Sequence, residues 1–431
     1  MSNSYEIAEE YEDVGKSAMS IADRILWMYR SYDKMELSLD DDDNVEKLLW
    51  GGKEMKRNSR QWIGILLYML IGASSGILFL RFLEQHKDEE WSIVNILLLF
   101  GVVVLVLYGS IMIQIIIHEA GHMIFGLAAG YRFNSFRIFG WMWLKKDGKL
   151  QLKHLSLAGT GGQCLMAPPE FRDGKMPVLL YNFGGAIMNL IASAVFVGLS
   201  FLFPVSSIFN SVFLILAVVG VGFAIINGVP LHMGVVDNDG CNALSLMRSK
   251  EACRAFWIQL KANELISEGS RLKDMPAEWF VVPEDEAMKN SIIASVGVLA
   301  CSRLMDEHRF AEADELMERL LSIESGIVGL HKSLMVCDRI YVELITQNRT
   351  EILDSMMTKE QKKIMKAMSK YPTVLRTEYV YALLADRDKA KAREIEAKFE
   401  RNAAGYPYPS EIEGEKEMMK IAEELAAGDG E

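Results

Sequence analysis

Residues 115–125 read IIIHEAGHMIF, two histidines and a glutamate set among Ile, Met and Phe. The apolar run around them extends from Trp91 to Ala129, and Glu119 is the only Asp, Glu, Lys or Arg within it. Burying two imidazoles and a carboxylate in such surroundings costs free energy unless something satisfies them. His118 and His122 stand four residues apart. On a helix that is roughly 400° of rotation and about 6 Å of rise, so both rings project from one face. Two ring nitrogens so placed can share one zinc ion, and Glu119, at the adjacent angle, can hold and deprotonate an attacking water. The five-residue pattern alone recurs by chance; the lipid-like context sharpens it.

Working outward, four stretches are long enough to cross a hydrocarbon core of about 30 Å, which takes roughly 20 helical residues. They lie at 62–83, 91–129, 178–203 and 207–230. The second is too long for one perpendicular helix, and a break near Gly109-Ser110 would make it a hairpin. Charge decides between the two. Lys53, Lys56, Arg57 and Arg60 precede the first stretch, while Arg132, Arg137, Lys145, Lys146, Lys149 and Lys153 follow the second. Both clusters belong on the cytosolic side, which needs an even number of crossings between them. One long second helix satisfies that, so four spans with both termini cytosolic are expected.

The rest of the chain is ordinary soluble sequence. Of 431 residues, half are hydrophobic and 24% charged, with a net charge of −12. Most of that charge sits in the flanks, 1–60 and 246–431, and argues against nucleic acid as a partner. Five cysteines without CxxC or ligand spacing read as reduced thiols. The acidic first 22 residues lack an apolar core, so no cleaved secretory signal is expected. The N-terminal segment also holds an amphipathic stretch, Ile21 to Tyr32, and the run DDDD at 40–43, neither with an assigned role.

Between the second and third stretches, residues 131–160 predict a β-hairpin. Phe136, Ile138, Trp141 and Trp143 alternate with polar or small residues, KKDGK supplies a turn, and LQLKHLSL alternates again. Its apolar face suits either the membrane interface or a packed cytosolic sheet. After Gly240 the pattern is helical throughout. VLACSRLMDEHRFAEADELMERLLS and EYVYALLADRDKAKAREIEAKFE each read as a helix–turn–helix unit of tetratricopeptide-like type. The expected fold is therefore mostly α, a polytopic membrane domain at 61–245 followed by a helical-repeat domain at 246–431.

Two histidines and a water leave tetrahedral zinc one protein ligand short. Asp239 and Asp237, in INGVPLHMGVVDNDG, are the available carboxylates, with His232 an outsider. HExxH on a membrane span, a later GxxxN (Gly185, Asn189), and a distal NxxP (Asn227, Pro230) followed by Asp239-Gly240 resemble the site-2 protease family of intramembrane zinc metalloproteases. The resemblance covers about residues 62–245. Ala186 stands where the family commonly has proline, and eight residues between Pro230 and Asp239 exceed the usual spacing. Asp237 is for that reason a competitor to Asp239, which is favoured because glycine follows it.

The resemblance implies Zn2+ as cofactor, His118, His122 and Asp239 as metal ligands, and Glu119 as the catalytic base. Asn189 and Asn227 would hold the substrate backbone or polarise the scissile carbonyl. For each the competing reading is a helix–helix hydrogen bond. Gln114, one turn before His118, either orients a ligand or adds packing polarity. The resemblance also implies a multi-pass protein of a bacterial cell membrane acting on a membrane-embedded or membrane-bound peptide. The helical region would recruit substrate or a regulator, or self-associate, and deletion of residues 250–431 would impair substrate selection and leave zinc in place. A second reading is a membrane-anchored helical-repeat scaffold with a structural, non-catalytic zinc site.

Overall fold

The computed structural model describes residues 92–146, 148–155, 161–230 and 237–428, with 69, 71–77, 80, 81 and 84. The N-terminal segment 1–60 lies outside the described residues, as does much of the expected first span at 62–83, of which 71–77 are helical. Among the described residues three helices are long and apolar enough to cross a membrane.

The first, α1, is Ile93–Ala128, unbroken through Gly109-Ser110. Ser92 caps its start by accepting from Asn95 N at 3.2 Å. Gly130, at φ +88°, lets the chain turn away so that Tyr131 N reaches back to Gly126 O at 3.0 Å. Its 36 residues span about 54 Å, well beyond a hydrocarbon core of about 30 Å. The polarity of α1 is the inverse of a water-soluble helix. Ile93 is 76% and Leu105 69% exposed, whereas the buried side is Ser110, Gln114, His118, Glu119, Gly121, His122 and Gly126. An apolar outside and a polar or small inside is the arrangement lipid demands.

Two further helices close on that polar side, α2 (Leu179–Ser200) and α3 (Ile208–Gly228). Asn210 Nδ2 donates to Ser200 O at 2.8 Å and pins the turn between them. α1 and α2 cross where glycine meets glycine: a Cβ on Gly184 would stand 2.7 Å from Gly121 O, and one on Gly121 2.7 Å from Met188 Cβ. Neither position has room for a side chain, and the two backbones approach accordingly.

The segment after α1 is a four-stranded antiparallel sheet in the order β3-β2-β1-β4, from β1 (Arg132–Ile138), β2 (Trp141–Lys146), β3 (Lys149–His154) and β4 (Gly162–Ala167). Phe136 pairs with Trp143, and Trp143 with Leu152. The expected hairpin is thus β2–β3, turning at the KKDGK sequence, but the sheet also has β4, beyond the predicted limit of 160. Along β2 the inner residues Met142 and Leu144 are buried and the outer Trp141 is exposed, the period of two expected of a half-buried strand.

After the bundle come α4 (Asp239–Arg248) and, opening the helical region, α5 (Lys250–Glu268), the latter ended by Gly269 at φ +103°. It continues through α6 (Ser291–Asp306), α7 (Phe310–Ser322), α8 (Gly329–Thr346), α9 (Thr350–Met356), α10 (Lys359–Ala367), α11 (Pro372–Val380), α12 (Lys389–Ala403) and α13 (Pro409–Gly428). The two predicted helix–turn–helix units fall on α6–α7 and on α11–α12. Met142 and Leu144 of the sheet share a core with Met288, Met317, Ile340 and Tyr408, so sheet and helices bury one another. Within that core Arg376 is fully buried between Asp338 and Glu415, its guanidinium 4.6 Å over the Tyr341 ring.

Candidate metal centre

His118 and His122 lie on the buried stripe of α1 with their Nε2 atoms 3.1 Å apart. Asp239, the first residue of α4, brings Oδ2 to 3.0 Å from His118 Nε2 and 3.3 Å from His122 Nε2. Donor atoms of these three side chains lie within 4.8 Å of one another. The structure therefore brings Asp239, rather than its competitor Asp237, to the imidazoles. His232 lies outside the described residues.

The direction of the hydrogen bonds leading to His118 follows from one backbone carbonyl. Leu216 O, on α3, accepts from Gln114 Nε2 at 2.9 Å. Gln114 therefore turns its Oε1 toward Asn189, which donates Nδ2 to it at 2.7 Å and to Gln114 O at 3.0 Å. Asn189 Oδ1 is left facing His118 Nδ1 at 2.8 Å, and an amide oxygen only accepts. His118 must carry its proton on Nδ1. His122 Nδ1 donates likewise to Tyr181 O at 2.7 Å. In the neutral imidazoles both Nε2 atoms then offer lone pairs on the side of the Asp239 carboxylate. Three acceptors converging on one point is a donor set that fits a divalent cation, and imidazoles oriented through their other nitrogen are the usual mark of one.

Close backbone approaches shape the surroundings. A Cβ on Gly185 would stand 2.6 Å from His118 Nδ1, so α2 can pass the ring only at glycine. On Gly162, the first residue of β4, a Cβ would lie 2.5 Å from Glu119 Cγ. The sheet thereby delivers its backbone against the glutamate. Tyr181 OH donates to Cys164 O at 2.8 Å and stacks on Tyr131 at 4.8 Å, joining α2 to the same strand.

Asp239 is placed by a residue that sequence reasoning passed over. Asn238 caps α4 by accepting from Cys241 N at 2.9 Å, and its Nδ2 donates to Ile226 O and Val229 O, both at 2.6 Å. It stitches the start of α4 to the end of α3. A Cβ on Gly240 would lie 2.9 Å from the carbonyl carbon of Gly228, which is why glycine follows the aspartate. Asn immediately before Asp-Gly is an N-cap signal that could have been read. Of the two asparagines expected at the substrate, Asn189 has both side-chain atoms engaged by His118 and Gln114, and Asn227 donates Nδ2 to Phe223 O at 3.0 Å within α3.

Residues 106–374 match peptidase family M50. The chain belongs to this family. M50 peptidases are membrane-embedded and in general zinc-dependent, and the match takes in all of the residues just described and runs on through α10 into α11. No curated protein and no solved structure matches the chain.

Proposed function

We propose that this chain is an intramembrane zinc endopeptidase of site-2 protease type, cleaving a peptide bond in or beside a membrane-spanning substrate. The observation that carries this reading is the convergence of His118 Nε2, His122 Nε2 and Asp239 Oδ2, with both Nδ1 protons committed elsewhere, one residue from a buried glutamate. His118, His122 and Asp239 would hold zinc, which when bound polarises a scissile carbonyl and acidifies water. Glu119 takes the proton of the attacking water on its carboxylate and returns it to the leaving amine. Gly162, by lacking a side chain, leaves the glutamate the space to do so. The α1–α2–α3 bundle excludes bulk water from the buried stripe, which strengthens each polar interaction there.

The helical region, in this reading, recruits a membrane-bound substrate or a regulator, or self-associates. The lysines and arginines around the first two spans orient both termini to the cytosol, as suits a bacterial cell membrane. The experiment is direct. A purified Glu119→Gln protein should retain stoichiometric zinc and lose cleavage of a single-span substrate by a factor on the order of 10²–10⁴, whereas Asp239→Ala should lose zinc as well. Wild-type cleavage rates from Glu119→Gln would overturn the assignment.

A further inference from the structure

Asp237 has an occupation of its own, and it lies between the metal centre and the helical region. Its Oδ2 accepts from Ser291 Oγ at 2.8 Å. Ser291 is the first residue of α6, 54 positions further along the chain. Beside it Asn290 caps α6 with Oδ1, accepting from Ile292 N at 3.0 Å and Ile293 N at 3.2 Å, and spends Nδ2 on Ser245 Oγ at 2.6 Å. Ser245 is on α4, the helix whose first residue is Asp239.

α4 is therefore held from two directions. Asn238 fastens its N-terminus to the end of α3, inside the membrane bundle. Asp237 and Ser245, on either side of Asp239 in sequence, are fastened to one helix start in the helical region. The pairing is electrostatically sound, because the exposed N–H groups at the start of a 16-residue helix favour a carboxylate. A metal ligand must be fixed to within about 0.5 Å to serve, and Asp237 stands two residues before Asp239.

We propose that Asp237, Ser291, Ser245 and Asn290 are positioning residues for the metal ligand Asp239, so that the helical region is a working part of the metal centre. This deepens the peptidase reading and rests on it. It also gives Asp237, the first aspartate of the DND sequence, a role that is not ligation. A partner that shifts α6 on binding to the helical region would act on the metal site through these two contacts.

The test is zinc affinity of the full chain in detergent, measured by competition with a chromophoric chelator, on wild type, Ser291→Ala, Asp237→Ala, the double variant, and Ser291→Thr. Ser291→Ala and Asp237→Ala should each weaken zinc binding about tenfold, the low end for loss of a group that orients a ligand. The double variant should fall no further than the weaker single one, since both remove the same bond. Ser291→Thr, which keeps the hydroxyl, should restore wild-type affinity. Ser291→Ala binding zinc as tightly as wild type, or a double variant whose loss is the product of the two single losses, would overturn the clamp. A wild-type protein that takes up no zinc would overturn the metal reading, and the clamp with it; the two failures are told apart by the wild-type measurement.

Discussion

His118 and Asn189 are joined Nδ1 to Oδ1 at 2.8 Å across the α1–α2 interface, and the direction of that bond is imposed by Gln114 behind it. An asparagine so engaged orients a metal ligand. Asn189→Ala should therefore weaken zinc binding by about 10- to 100-fold, with Gln114→Ala showing a smaller loss in the same direction. Isothermal titration or chelator competition would measure it. If Asn189 held the substrate backbone instead, zinc affinity would stand unchanged while KM rose.

Gly240→Ala should cost far more than an ordinary glycine substitution. Its Cβ would meet the backbone of Gly228 and Pro230, neither of which can rotate away, so α4 must move and carry Asp239 with it. Loss of zinc and of cleavage together is expected. Gly101→Ala is the control: nothing lies within 4 Å of its Cβ, and replacing a mid-helix glycine should stabilise by roughly 0.5–1 kcal/mol. Equal behaviour of the two variants in a thermal melt and a zinc assay would contradict the packing described.

Arg376→Ala should destabilise the helical region by about 3–5 kcal/mol, because it strands Asp338 and Glu415 as unpaired buried acids. Replacing all three residues by apolar ones of similar volume should cost much less. Denaturant melts of the variants separate the two cases.

Stability of that region should fall as pH rises. Burial pushes Glu411, hydrogen-bonded by Tyr406 OH at 2.9 Å, up to about 7, and burial pushes Asp338 up to about 6 despite Arg376 beside it. Groups raised in the folded state bind protons there that the unfolded chain releases. Their contribution is whole below the ordinary carboxylate range near about 4 and is lost as pH climbs through about 6 and then about 7. The melting temperature should drop between these limits, and Glu411→Gln should flatten the upper part of the curve. A curve rising over that interval would contradict the assignment.

Much of this was legible in the sequence, for identifiable reasons. The continuous α1 follows from hydropathy and from where the lysines and arginines fall, and the HEAGH cluster follows from helical spacing alone. The turn in KKDGK marks β2–β3. Apart from the N-cap at Asn238, what escaped depends on contacts across long sequence separations. β4, with GQCLMA, shows no alternation because β1, α1 and α5 cover it, and Met166 is buried with Tyr131, Tyr181 and Leu260. Asn189 could be placed near the site but not turned, since its orientation is fixed by Leu216 O on another helix. The expectation that zinc survives deletion of residues 250–431 treats that region as separable from the metal centre. Ser291 on Asp237 predicts the opposite.

The inverted polarity of α1 has a consequence for biogenesis. Newly inserted on its own, this helix would present amide and imidazole groups to acyl chains, with no carbonyl from Leu216 and no amide from Asn189 to receive them. Those groups find their partners only once all three helices have been released from the translocation machinery and have closed. In the proposed reading, hydrolytic capacity is thereby withheld from every partly synthesised chain.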